Sequence, residues 1–238
     1  MWLLLLASIV ANGAGPAVQP GADPDFLYAQ RERLASAMQA AEIWERRLAA
    51  NPADFDSAWK LARAAYWLGG HVDNDKRRAQ YERGMDAARR AVALKPDRPE
   101  GHFWLAADMG AMAESFGLVA GIRYRGPVKR ELESVLRLDP SFQQGSADRA
   151  LGRWYDKVPR LFGGSNDKAV QHLQRSLAYD PGSAASHFFL AEVFVDMNRR
   201  DDARAELQKV LDAPLHSDWV PEVKEFRQKA AALLDRLR

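Results

Sequence analysis

The 238-residue chain balances 34 basic against 32 acidic residues. A net charge of +2 with no basic domain or stripe excludes the footprint of a nucleic-acid binder. It contains no cysteine, which excludes disulfides, thiolate metal ligands, a cysteine nucleophile and a lipid-bearing cysteine. Hydrophobic residues at 47% and charged residues at 28% are ordinary for a folded chain, and the length suits one elongated array or two domains.

Residues 1–20 carry no charge, and Trp2 to Val10 is an apolar run. The run is too short to span a bilayer, which takes about 20 apolar residues. Small residues follow at Ala11-Asn12-Gly13-Ala14-Gly15, where a signal peptidase could cut. The segment therefore reads as a secretory leader without a stable membrane span, although no Lys or Arg precedes the apolar run. The expected location is periplasmic or secreted, with the cytoplasm as the alternative if the start is misplaced.

Residues 21–51 read as an N-terminal helical segment. Leu27, Leu34, Met38, Ala41, Trp44 and Leu48 fall three, four or seven apart, which predicts one helix over Asp25 to Ala50. From residue 52 to 215 a phrase recurs. A proline (Pro52, Pro96, Pro140, Pro181) precedes a helix carrying Leu61-Ala62, Leu105-Ala106, Leu151-Gly152 or Leu190-Ala191, and a second helix runs back into the next proline. The second helices carry small or apolar residues at i, i+4 and i+7: Gly84, Ala88, Ala91; Val128, Leu132, Val135; Ala169, Leu173, Ser176; Ala203, Leu207, Val210. Small residues let helix axes approach to about 8–10 Å, and proline ends the second helix. One hairpin cannot bury both faces, so neighbours stack.

Proline-to-proline spacings are 44, 44, 41 and 33 residues. The extra length in the first three falls between the paired helices, at Gly69 to Arg77, Gly117 to Gly126 and Pro159 to Asn166, which predicts three loops on one edge. Aromatic and basic residues in and beside them, Phe116, Arg123, Tyr124, Arg160 and Phe162, are candidates for a working edge. Residues 216–238 read as a charged amphipathic cap. No strand is predicted.

The Pro…Leu-Ala…Ala…Pro pattern resembles the tetratricopeptide superfamily over roughly residues 50–215. The resemblance implies an all-α superhelix, an α-solenoid of four helical hairpins. In that geometry the residues two before and two after each leucine face the concave groove: Trp59 and Arg63, Phe103 and Ala107, Arg149 and Arg153, Phe188 and Glu192. Tyr66, Trp67, Asp156 and Lys157 lie one turn on. Aromatic rings with guanidinium groups suit a peptide or an amphipathic ligand, since arginine grips carboxylate through two bonds.

Four stretches, WKLARAAYWLGG from Trp59, GHFWLAADMG from Gly101, GRWYDKVPRLFGG from Gly152 and AVQHLQRSLAYDP from Ala169, are similar to the T-component of TRAP-type transporters. That resemblance implies a periplasmic partner of a solute-binding protein and a homotrimer, in a family whose members are usually lipoproteins. A fainter likeness, in His102-x-Trp104 and Gly152-x-Trp154-Tyr155, runs to eukaryotic regulators of microtubule dynamics, which share the repeat. A general adaptor that grips a peptide tail is the alternative function.

No enzyme is expected. The histidines lack metal-ligand spacing, Gly163-Gly164 lacks a following Lys-Ser/Thr, and no Gly-x-Ser-x-Gly elbow occurs. No cofactor or metal is expected either. His102 and His187 share one repeat position that points at the partner helix, so both are expected to be packed and hydrogen-bonded.

Overall fold

The computed structural model describes residues 22–216 and 218–237. The leader predicted over residues 1–20 lies outside them. Among the described residues there are eleven α-helices and no strand. The helices are α1 (Pro24–Ala29), α2 (Leu34–Ala50), α3 (Phe55–His71), α4 (Asn74–Leu94), α5 (Pro99–Ser115), α6 (Gly117–Leu138), α7 (Phe142–Lys157), α8 (Asn166–Tyr179), α9 (Ala184–Asp196), α10 (Arg200–Asp212) and α11 (Val220–Arg236). The fold is an all-α tetratricopeptide-like solenoid. None of these helices is long and apolar enough to cross a membrane.

Helices pair as α3 with α4, α5 with α6, α7 with α8 and α9 with α10, and each pair stacks on its neighbours. Ala62, Ala106 and Ala191 are buried at the helix crossings. At Gly152 a Cβ would stand 2.5 Å from Leu173 Cγ, so only glycine admits α8 here. On the second helices the stripes Val128, Leu132, Val135; Ala169, Leu173, Ser176; and Ala203, Leu207, Val210 are all buried. The one polar member, Ser176, shares a hydrogen bond with Ser186 at 2.9 Å. Asp54, Ser165 and Ser183 cap α3, α8 and α9, each accepting from a backbone N–H three residues on.

His102 and His187 are packed alike. Nδ1 of His102 lies 2.5 Å from Glu131 and its Nε2 3.0 Å from the Pro96 carbonyl. His187 meets Glu206 at 2.5 Å and the Pro181 carbonyl at 2.9 Å. Each ring ties the turn after one hairpin to the second helix of the next.

Three expectations are corrected. The helix predicted over Asp25 to Ala50 is two helices, broken between Ala29 and Leu34. The break turns Arg31 inward, where its carbonyl accepts from Trp67 Nε1 at 3.0 Å and its guanidinium meets Glu222. Two of the three predicted loops are helical. Gly69 to Arg77 is the end of α3, a short turn and the start of α4, and Gly117 to Gly126 is the first half of α6, with Pro127 inside that helix. Only Pro159 to Asn166 remains largely a turn, with a 3-10 segment at Arg160–Phe162. There Gly163 alone takes a positive φ, +104°. Gly164 is required for a different reason, since a Cβ would lie 1.6 Å from the Val158 carbonyl oxygen.

Candidate binding groove

The stacked hairpins curve around a groove of about 1080 Å³. Its floor is made by α5. Ala107, Gly110 and Ala111 follow helical spacing on one face, and a Cβ at Gly110 would meet nothing within 4 Å. Gly110 thus answers no packing demand; its bareness adds open space. The walls are aromatic. Phe103 and Trp104 meet edge to face at 5.1 Å, Tyr66 approaches Trp104 at 5.8 Å, and Phe188 and Phe189 each approach Phe226 of α11 at 5.5 Å. Trp219, Glu222 and Phe226 belong to the wall, so α11 is a strap over the groove as well as the end of the stack.

The predicted arginine pair divides. Arg153 is held by Glu114 at 3.0 and 2.9 Å and also pairs with Glu192. Burial works against its charge, yet these carboxylates raise its pKa above the ordinary arginine value. It also lies over the Phe189 ring at 4.7 Å. Arg149 lines the same groove, and no hydrogen bond or ion pair joins it to any described residue. Burial lowers its pKa, and the charge of Asp180 opposes this only in part. A cation with this environment is poised for an anion from outside.

Two further groove residues have unmet hydrogen-bonding demand. Trp104 Nε1 is a buried donor without a partner among the described residues, and Gln143 Oε1 a buried acceptor without one. Gln143 and Gln144 both hold left-handed backbone, with φ of 45° and 58°. Such conformations in non-glycine residues cost about 1–3 kcal/mol each and gather at ligand clamps. Both residues line the groove.

Of the residues predicted for the groove, Tyr66, Trp67, Phe103, Arg149, Arg153, Phe188 and Glu192 line it, as do Ala107 and Lys157. Trp59, Arg63 and Asp156 do not. Arg63 is sealed at the N-terminal end, stacked on Tyr28 at 4.2 Å and Trp59 at 5.0 Å and 3.5 Å from Asp25, because α1 covers that stretch of α3. Trp59 donates to Asp56 at 3.1 Å. Asp156 is shielded from water, with its pKa raised by burial, and pairs with Lys157 at 2.8 Å. Among the edge residues Phe162 reaches the groove, whereas Phe116, Arg123, Tyr124 and Arg160 stand outside it. Phe116 packs under Arg78 at 4.1 Å, and Tyr124 neighbours Arg123 at 5.3 Å.

Sequence reasoning missed Trp104, Gln143, Phe189 and Phe226. The run Ala106-Ala107-Asp108-Met109-Gly110-Ala111 was the available sign of a floor. No signal existed for Phe226, because it enters from the far end of the chain. Among the described residues no group of three or more His, Asp or Glu side chains could hold a metal ion.

An aromatic groove that holds Arg149 without an ion pair, inside a shell of stacked hairpins, defines a helical-repeat protein. The model of the family described as regulator of microtubule dynamics protein 1-3 matches residues 23–162, and the chain belongs to that family. The fainter of the two family likenesses is thus the one the comparison supports. A tetratricopeptide-repeat model matches residues 164–219. The two meet close to Trp154 and Tyr155, where two apolar clusters of the core adjoin. No curated protein matches. Similar solved structures include TTC0263, a tetratricopeptide protein of Thermus thermophilus, 23% identical over 89% of this chain and 97% of that one, with a TM-score of 0.66. PilW, a type IV pilus biogenesis factor, is 17% identical over 90% and 91%, with a TM-score of 0.56. MamA from Desulfovibrio magneticus is 18% identical over 83% and 97%, with a TM-score of 0.53. At these identities the likeness is one of fold.

Proposed function

We propose that the chain is a non-enzymatic scaffold whose groove takes an extended peptide segment bearing a carboxylate. The observation that carries this reading is the unmet polar demand among aromatic walls. Among the described residues Arg149 makes no hydrogen bond or ion pair, Trp104 Nε1 has no acceptor and Gln143 Oε1 has no donor. A peptide offers an acidic group to the guanidinium, while its apolar side chains fill space over Gly110. The rings contribute contact area at low entropic cost. The family takes its description from microtubule dynamics, and the reading offered for this chain is the more general one its groove chemistry carries.

Calorimetric titration with acidic peptides and their amide counterparts tests it. Arg149→Ala should weaken the acidic peptide by about tenfold or more, the worth of one charge-assisted contact. It should leave the amide peptide unchanged. Equal affinity of wild type and variant rejects the groove as the site.

A narrower form of the reading places the chain in the periplasm as the trimeric partner of a TRAP-type solute-binding protein. It draws on the leader and the four quoted stretches. Recovery of a solute-binding protein with the tagged chain from a periplasmic extract is its test, and the absence of one counts against it.

A further inference from the structure

The first half of α6 is an anomaly. From Gly117 to Pro127 the helix buries no side chain. Leu118 is 70% exposed, Val119 81% and Ile122 46%, at positions i, i+1 and i+4 of one helix face. A second segment lies beside it. The Arg125 guanidinium stands over the Phe162 ring at 4.8 Å, and Trp154 Nε1 donates to the Arg125 carbonyl at 2.8 Å. This brings the 3-10 turn, whose Leu161 is 88% exposed, against the base of the projecting helix. Among the described residues, five of the eleven large apolar side chains that stand exposed belong to these two short segments, so they form a cluster and not a scatter.

Within the two segments the charge has one sign. Residues 116–130 contain Arg123, Arg125, Lys129 and Arg130 and no acid, and residues 157–165 contain Lys157 and Arg160 and no acid. The rest of the chain is net acidic, since these six cations exceed the total net charge of +2. Arg123 and Arg160 make no ion pair with any described residue. Lys129 and Lys157 are paired with Glu133 and Asp156, which leaves the arginines. Protruding aliphatic tips beside these arginines match an interfacial anchor: the tips enter the acyl boundary and the guanidinium groups stay among anionic headgroups. A protein partner would need a matching acidic rim and a concave face for the aliphatic tips, whereas a bilayer supplies both demands without shape.

We propose that the start of α6 and the Arg160–Phe162 turn form a docking surface for an anionic lipid bilayer. This surface shares Leu118, Ile122, Arg125 and Phe162 with the rim of the groove, but it needs neither Arg149 nor the groove floor.

Flotation of the full chain with vesicles of phosphatidylcholine alone, or with phosphatidylglycerol added, is the test. The chain should float with the anionic vesicles and stay behind with the neutral ones, and added salt should release it. The variant carrying Leu118→Ser, Val119→Ser and Leu161→Ser should lose flotation. Arg123→Glu with Arg160→Glu should weaken it by about tenfold or more. Circular dichroism should be unchanged in both, since every altered side chain is exposed. Arg149→Ala should float as wild type does, so a failed groove would not sink the surface. Three results overturn the proposal: no flotation with anionic vesicles, flotation unaltered by both variants, or sedimentation velocity showing a self-association that the serine variant abolishes.

Discussion

Arg31 and Glu222 stand 191 positions apart and form a two-point ion pair, Nε to Oε1 at 3.0 Å and Nη2 to Oε2 at 2.6 Å. Arg31 is almost fully buried between Tyr28 and Trp67, with ring centroids 5.0 and 5.2 Å away. Lys224 meets Glu32 at 2.7 Å and His71 meets Glu225 at 2.6 Å beside it. The C-terminal helix therefore returns to the N-terminal end and closes one side of the groove through polar side chains. The bond that closes it is polar, whereas Val223, Ala230 and Leu233 of α11 belong to the apolar cluster shared with α9 and α10.

Breaking this clasp should loosen α11 without unfolding the stack. Arg31→Met keeps the packing volume and removes the charge. It leaves Glu222 partly solvated, so the cost is expected at about 3 kcal/mol, the low end for a buried pair. Hydrogen exchange should speed in α11 and stay slow in α5. Uniform loss of protection throughout would show instead that the clasp holds the whole fold.

The clasp should also respond to pH. The His71 ring stacks on Trp67 at 3.7 Å, with Nδ1 2.7 Å from the Trp67 carbonyl and Nε2 facing Glu225. Both nitrogens face acceptors, so the ring must donate twice, as imidazolium. Burial pulls its pKa down, but the bonds to Glu225 and to the Trp67 carbonyl outweigh this and raise it. A raised histidine contributes its full stability below its unfolded value, about 6.5, and loses it as pH climbs through the folded value. On the acid side Glu225 sets the limit: burial raises its pKa, the bond to His71 outweighs that, and the net shift is downward. Melting temperature should thus fall as pH rises from mildly acid to alkaline. His71→Gln should flatten part of that slope and His102→Gln a further part, since Glu131 raises His102 too. A wild-type profile without slope would refute this.

Asp108 should act in the same direction for a different reason. It is fully buried, and neither carboxylate oxygen has a partner among the described residues. Burial pushes its pKa well above the ordinary range. The neutral acid belongs to the folded state, so folding loses stability as pH rises from the unfolded value toward the folded one. Asp108→Asn should remove this component and equal or exceed wild type at neutral pH in urea melts. Gly84→Ala should be damaging, because a Cβ there would lie 2.4 Å from Asp108 Oδ2.

Gly110 offers the sharpest separation of groove from fold. Leucine has space at this position and a better helix propensity, by about 0.8 kcal/mol or somewhat less. Gly110→Leu should keep or slightly raise the melting temperature while obstructing the floor, so peptide titration should show binding lost. Retained binding would place the ligand elsewhere.

The hairpins were legible because their causes are local. Val128-Leu132-Val135 and Ala203-Leu207-Val210 repeat at helical spacing, and Pro52, Pro96, Pro140 and Pro181 each follow a helix end by two residues. The two missed helical insertions show where local reading fails. Gly69 looks like a breaker, yet in α3 its bare Cα accommodates the Tyr81 ring, which would lie 2.3 Å from a Cβ. Gly117 looks like a turn, yet α6 begins there and runs through Pro127.

By itself the sequence determined the helices, their buried stripes and the small residues at their crossings, because each follows from the 3.6-residue period and from side-chain size. Tertiary structure alone decided that Arg149 is unpaired while Arg153 is neutralised, that Arg63 is covered by α1, and that residue 31 meets residue 222. Those outcomes depend on the summed rotation of successive hairpins, and no spacing within one repeat encodes where the far end of the chain arrives.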